Sequence, residues 1–294
     1  MNHVQDNAEE CIRNAIVNLK EGKYEYELDN GEYIRVRITI DKIKREATID
    51  FSGTAPKNPF NYNAPMAVCH AVILYVFRTL VGNNIPLNEG CFKPLNIIIP
   101  NNSMINAKYP SAVIAGNTEV SQLTCNALFG ALGVIAGSQA TMNNFIWGND
   151  KIQNYETICG GTGAGPNFHG TSAVQTHMTN TRSTDPEILE ARFPVRLEEY
   201  SIRKNSGGKG MFNGGDGVTR KLRFLEPMTV TTLCSHRKVQ PFGLNGGEPG
   251  QCGKEWLEKK DGKFIRLEGN DSCEVKVNDL FVMETPGGGG YGSK

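Results

Sequence analysis

The chain has 294 residues, 39% of them hydrophobic, enough to bury a real core as one large domain or two ordinary ones; a peptide or a disordered tail is excluded. Its 31 Lys and Arg balance 31 Asp and Glu, so no global field draws nucleic acid, anionic lipid or a strongly charged partner, and a small ligand or a protein partner fits better. The eight cysteines are scattered without CxxC spacing, which argues against zinc, and the charged opening MNHVQDNAEE is no signal peptide, so reduced thiols in a cytoplasm are expected.

Over residues 6–20, Ala8, Cys11, Ile12, Ala15, Ile16 and Leu19 recur at three- and four-residue steps, the apolar stripe of a helix ended by Gly22. Residues 24–28, 33–40 and 46–51 alternate or are β-branched, with Asp29-Asn30-Gly31 as a turn, and predict an antiparallel meander. Residues 64–81 read as a buried helix; the stretch 66–81, the longest apolar run, is broken by His70 and Arg78 and is too short to span a bilayer. A loop over 83–94 leads to a strand at 95–99, and a third helix is predicted over 118–136, with Val120, Leu123, Ala127, Leu128, Ala131 and Leu132 on its inner side. After Gly137 the pattern changes to short strands, among them 145–147, 155–159, 195–203, 218–225 and 229–233. The 33 glycines cluster at 160–165, 207–217, 243–250 and 287–292, beside apolar and β-branched neighbours, and are read as tight turns of a β-rich region. The fold class is α+β: a mixed α/β first half with antiparallel strands and three main helices over 1–137, and a β-rich, glycine-looped part of the same domain over 138–294.

Gly160-Gly161-Thr162-Gly163-Ala164-Gly165 follows a strand, yet lacks the Gly-Lys-Ser/Thr ending of a P-loop and the GxGxxG spacing, and no helix start follows to hold phosphate. Nucleotide binding is therefore not expected at this loop, and if ATP is used, another chain binds it. The densest polar cluster is Thr176-His177-Met178-Thr179-Asn180-Thr181-Arg182. There His177 has the chemistry to move protons near neutral pH and Arg182 to clamp an anion; a polar turn with a hydrogen-bonded histidine fits the same residues equally well. Thr141-Met142-Asn143-Asn144 offers side-chain amides for the polar edge of a small ligand, although asparagines are ordinary turn residues. Glu119 stands at a helix start, where the helix dipole alone explains it, and Glu156 lies in a strand where an inward carboxylate needs a partner. No His spacing suits a metal, no GxSxG elbow is present and no cysteine has a catalytic neighbour.

Taken in order, Asp50-Phe51-Ser52-Gly53-Thr54, Asn63-Ala64-Pro65, residues 85–90, 140–144, Tyr155-Glu156-Thr157 and 176–182 resemble the hydantoinase B/oxoprolinase family. So do residues 189–194, Ser206-Gly207-Gly208, Gly214-Gly215-Asp216-Gly217 and the closing Thr285-Pro286-Gly287-Gly288-Gly289-Gly290-Tyr291-Gly292, which extends the resemblance over essentially the whole chain. The resemblance implies a component of an ATP-dependent hydrolase of small cyclic amides, 5-oxoprolinase-like, that works with a hydantoinase A-type partner which binds ATP and phosphorylates the amide oxygen. It also implies a further N-terminal region, with the family's metal-binding Asp and His residues, that is not in this sequence. The divalent metal is thus expected only in that missing half, and the chain alone is expected to be inactive. On this reading His177, Arg182, Asn143, Asn144, Glu119 and Glu156 are the candidate catalytic residues, and Thr141, Thr176 and Asn180 bind substrate. A non-catalytic remnant or interaction module, and a subunit of a related ATP-dependent carboxylase, are the alternatives.

Overall fold

Residues 2–82 and 84–293 are described by a computed structural model; Met1, Lys294 and Asn83, the first residue of the predicted loop 83–94, lie outside the described residues. The chain forms two compact units, Met1–Val134 and Ile135–Lys294.

In the first unit the predicted stripe builds α1 (Asn2–Val17), which buries Ala8, Ile12 and Ile16. Strands β1 (Gly22–Glu27), β2 (Tyr33–Asp41) and β3 (Glu46–Asp50) pair antiparallel in sequence order, as the meander requires. At the first turn Gly31 takes φ 81°, a left-handed conformation that glycine enters without steric cost. Helix α2 (Met66–Thr79) is the crossover that brings β4 (Leu95–Ile98) back parallel to β3, so the sheet runs β1-β2-β3-β4 and only its first three strands are a meander. The 83–94 loop contains a 3-10 turn, Glu89–Phe92, capped by the Asn88 side chain, which accepts from the Gly90 N–H at 2.8 Å.

The third helix differs at both ends from its prediction. It begins as a π-helical turn, Gly116–Val120, continues as α3 (Ser121–Leu132), and stops at Gly133, whose φ of 67° closes it as a left-handed cap. Packed on β1, β2 and α2, α3 is buried nearly all round, including its polar side chains. Two of these find partners within the unit: Thr124 Oγ1 donates to the Val120 carbonyl at 2.7 Å and Asn126 Nδ2 to the hydroxyl of distant Tyr26 at 3.1 Å.

The second unit is a β-sandwich. One sheet, β12-β9-β5-β6, is formed by β5 (Asn144–Gly148), β6 (Gln153–Thr157), β9 (Met228–Leu233) and β12 (Asn270–Val275). The other, β11-β10-β13-β8-β7, is formed by β7 (Val195–Ile202), β8 (Val218–Phe224), β10 (Lys254–Glu258), β11 (Phe264–Leu267) and β13 (Leu280–Glu284). Inward side chains of both sheets interdigitate: Phe145 of β5 stacks on Phe281 of β13 at 4.7 Å, and Trp147 meets Phe224 of β8 edge-on at 5.9 Å. Short α4 (Pro186–Arg192) starts where Asp185 accepts from the Glu187 N–H at 2.9 Å, with Pro186 in the first turn, and buries Leu189.

The glycine runs are not primarily turns. Among their glycines only Gly246 and Gly292 have positive φ. The rest let backbones from distant stretches lie directly against one another. Gly215 N–H donates to the Thr162 carbonyl at 2.9 Å, Gly288 N–H to Gly215 at 2.9 Å, Gly289 N–H to Gly137 at 2.7 Å and Gly290 N–H to Glu248 at 2.9 Å. A methyl group on Gly161 would strike the Gly215 carbonyl oxygen, and one on Gly214 the Gly288 oxygen. Removal of the side chain for close approach, rather than freedom of φ, is the reason for these residues.

Candidate functional site

The polar cluster singled out in the sequence lies over one corner of the sandwich, where the edge strands β6 and β7 leave the two sheets open. Alternation along β6 turns Glu156 inward beside Phe145. Alternation along β8 sets Arg220 between the inward Val218 and Leu222. The two meet in a bidentate pair, Nε to Oε2 at 3.1 Å and Nη2 to Oε1 at 2.8 Å, with side chains 5% and 2% exposed. Tyr200 of β7, opposite Arg220 in the register, places its ring 4.9 Å from the guanidinium carbon. Its hydroxyl lies 3.1 Å from Cys159 Sγ and 3.2 Å from Ser183 Oγ. Burial pushes the Glu156 carboxyl above the usual range, and the Arg220 guanidinium opposes the shift.

Residues 171–184 form a strap across this corner. Val174 bridges to Gly160, Ala173 N–H donates to the Asp216 carbonyl at 3.0 Å, and Gln175 Nε2 donates to the Thr157 carbonyl and hydroxyl, both at 3.2 Å. Further on, the Thr181 and Thr157 hydroxyls are hydrogen-bonded, and Ser183 reaches Tyr200. The strap thus ties β6 to β7 and carries the expected cluster as one constellation.

Within the strap, Thr176 is buried and its carbonyl accepts from the Thr179 N–H at 3.1 Å, which closes a turn around His177. His177 is half-buried with φ 47°, an uncommon backbone conformation for a side-chain-bearing residue that needs support from its surroundings. Burial pulls its imidazole down to about 4, so the ring is neutral at neutral pH. Asn180 and Arg182 are exposed and make no hydrogen bond or ion pair among the described residues. Beneath and along the strap, Arg220 Nη1, Thr176 Oγ1 and Gln175 Oε1 are buried polar atoms with no partner among the described residues.

The asparagine motif lies beside the strap's anchor, with Asn144 opposite Thr157 across β5 and β6, and is fully engaged in the fold. Asn143, buried at φ 44°, donates from Nδ2 to Gln139 Oε1 at 2.7 Å and to the Ile158 carbonyl at 2.8 Å, and accepts from Arg237 Nη1 at 2.8 Å. Thr141 Oγ1 accepts from the Asn143 and Ser235 N–H groups at 3.0 and 3.1 Å. Arg237 forms a second buried ion pair, with Glu255. Asn144 accepts from the Tyr155 hydroxyl at 2.6 Å and donates to the Leu233 carbonyl. These amides are spent inside the fold. Glu119 belongs to the first unit, where it is buried in the π-helical turn at the head of α3.

Residues the sequence reading passed over include Arg220, Tyr200, Arg237 and Glu255. Arg220 was discoverable, because the alternation 218, 220, 222, 224 sets it on the apolar face. A charged residue in that register announces a buried counter-ion.

No three His, Cys, Asp or Glu side chains gather in a way that could hold a metal ion among the described residues. Burial pushes the Cys69 thiol to about 12 and raises Cys125 and Cys159, which opposes thiolate chemistry there. Nor does the 160–165 glycine loop suit phosphate: the N–H groups of Gly160, Gly161, Thr162, Ala164 and Gly165 are already bonded to protein carbonyls. No helix among the described residues is long and apolar enough to cross a membrane.

A family model described as Hydantoinase B/oxoprolinase matches residues 1–294. The chain is 42% identical over 304 residues to a 5-oxoprolinase of Dictyostelium discoideum, with 100% of this chain and 24% of that protein covered. It is 42% identical over 312 residues to 5-oxoprolinase 1 of Arabidopsis thaliana, again covering 100% of this chain and 24% of the relative. The chain therefore spans about a quarter of the length of these relatives. Among solved structures, an ATP-dependent caprolactamase from Pseudomonas jessenii superposes with a TM-score of 0.83 at 22% identity over 98% of this chain and 55% of that one, a likeness of fold.

Proposed function

This chain belongs to the hydantoinase B/oxoprolinase family, and we propose that it serves as part of an ATP-dependent cyclic-amide hydrolase, with 5-oxoproline as the substrate and glutamate, ADP and phosphate as the products. The observation that carries the reading is the full-length match, at 42% identity, to the C-terminal quarter of 5-oxoprolinases. Ring opening requires water to add to the lactam carbonyl, the C–N bond to break and the ring nitrogen to take a proton. ATP and any divalent metal are held by the rest of the enzyme in this reading, since no metal-ligand cluster gathers among the described residues and the N–H groups of the 160–165 loop are already bonded.

What this chain contributes is the strap. Its neutral His177 is suited to a hydrogen bond with the lactam amide rather than to acid catalysis, because a ring that titrates near 4 is not an imidazolium at neutral pH. Exposed Arg182 supplies a guanidinium for the substrate carboxylate, with Asn180 beside it. Buried Glu156 acts through Arg220 as a positioning residue, and Thr141, Asn143 and Asn144 hold the scaffold under load from their own hydrogen bonds. Glu119 is assigned a role within the first unit.

The test is a reconstituted enzyme, this chain with the remaining half-subunit and the ATP-binding component. His177→Ala and Arg182→Ala are each expected to lower kcat/KM for 5-oxoproline at least about tenfold, a loss of about 1.4 kcal/mol of transition-state stabilisation, with the assembly intact. Unchanged kinetics for both would remove the strap from the site.

A further inference from the structure

The first unit carries an apolar surface that its own core does not use. Two loops, residues 55–66 and 99–115, are stitched together: Ala64 N–H donates to the Met104 carbonyl at 2.7 Å, Ala107 N–H to Ala64 at 3.0 Å and Ala115 N–H to Asn61 at 3.3 Å. At their centre the fully buried Asn63 amide nitrogen donates to the carbonyls of Asn58 at 2.9 Å, Phe60 at 2.8 Å and Ala112 at 3.0 Å. One nitrogen holding both the Phe60 and Ala112 carbonyls sets the two loop tips side by side. From them Tyr109 (98% exposed), Phe60 (74%) and Ile114 (63%) stand in solvent, with Met66 and Val113 nearly half exposed. Lys57 and Lys108 are the only charged residues in the two segments.

Large side chains on pinned loops are costly to leave wet and lose little entropy on being covered. Aromatic and aliphatic anchors with charge kept to the edge are the composition of an interface centre. The loops also pack on the Gly116–Val120 turn, where a methyl on Gly116 would lie 2.5 Å from the Asn63 carbonyl oxygen, which fixes them against the body of the unit. The chain corresponds to 24% of the 5-oxoprolinases and 55% of the caprolactamase chain it matches, so in those proteins the same fold continues into a much longer polypeptide. We infer that this face docks the family's remaining half-subunit, the polypeptide into which the same fold continues in the caprolactamase chain, through a surface that is apolar at its centre and carries carboxylates opposite Lys57 and Lys108. The inference rests on the reading of this chain as part of a larger hydrolase.

The experiment is co-expression of the tagged chain with the family's remaining half-subunit and ATP-binding component from the same genome, and titration of the purified parts. A Tyr109→Asp/Ile114→Asp variant is expected to bind about 100-fold more weakly than the unaltered chain, as loss of interface anchors does. Its melting curve should be unchanged, since both side chains are exposed. Phe168→Asp, at an exposed apolar position in the second unit, should bind normally. Wild-type affinity in the double variant, no association of the unaltered chain, or a patch that serves only self-association in sedimentation would each overturn the inference. Association is read without turnover, so the two readings fail separately: a tight assembly that opens no lactam removes the hydrolase function alone, and lactam hydrolysis unaffected by the double variant removes the docking face alone.

Discussion

The two units solve the problem of a close-packed interior in opposite ways. In the first, α3 is enclosed on all sides and the fit is made largely by side chains, from Leu123 and Phe129 to the bonded polar residues Thr124 and Asn126, with backbone approaches confined to single glycines such as Gly22 against Ala131. In the second, the four glycine runs remove side chains and let main chain lie on main chain, while two ion pairs, Glu156–Arg220 and Arg237–Glu255, are buried in the interior. Side-chain packing yields by rotamer changes and small shifts. A backbone oxygen held by hydrogen bonds has nowhere to go, so the second unit should be the less tolerant of added atoms and the more sensitive to lost charges.

The sharpest break comes at Arg220. Arg220→Ala strands the Glu156 carboxylate in the core and is expected to cost about 3–5 kcal/mol in denaturant unfolding. Glu156→Leu combined with Arg220→Met removes both charges and should recover most of that loss. Equal destabilisation of single and double variants would show that shape, not charge, matters at this corner.

Next is a matched pair of glycine substitutions. Gly161→Ala drives a methyl into the Gly215 carbonyl and should cost about 3 kcal/mol, at the upper end for overpacking. Gly130→Ala in α3 meets the Tyr24 ring instead, and the helix propensity gained by alanine, about 1 kcal/mol, offsets much of the strain. Similar melting temperatures for the two variants would erase the contrast between the units.

The smallest effect is a pH dependence confined to the strap. The folded-state His177 titrates near 4, below its usual value, so between about 6.5 and 4 the unfolded chain binds a proton that the folded chain refuses. Stability from this group is complete above about pH 6.5 and declines as the pH falls toward 4, by on the order of 1 kcal/mol after allowance for its partial exposure. His177→Ala should flatten that part of the curve of unfolding free energy against pH; an unaltered slope would place the effect on other groups.

Much of the first unit was legible. The stripe of Ala8, Ile12 and Ile16 and the alternation of β1 to β3 are one-sided burial patterns, which sequence records directly. The burial of α3 on every side was not, because Ser121 and Asn126 look like an outer face until Ser121 bonds back to the Asn117 carbonyl and distant Tyr26 arrives to pair with Asn126. Glycine runs were visible as runs, but a turn and a close approach use the same residue, and only the neighbouring strand distinguishes them. At the site, the 176–182 cluster was readable as polar density, and the structure joins it into one strap. Asn143 and Asn144 carried the same local signal as free amides, yet Arg237 and Tyr155, 94 and 11 residues away, occupy them. Arg220 was the opposite case: its inward register was legible, while its partner on another sheet was not.

The most direct measurement is ADP release from ATP with and without 5-oxoproline, for this chain alone and for the reconstituted enzyme. The account predicts no release from the chain by itself and, in the full assembly, release that depends on 5-oxoproline and matches the glutamate formed. Turnover by the isolated chain, or a folded and associated assembly that opens no cyclic amide, would contradict it.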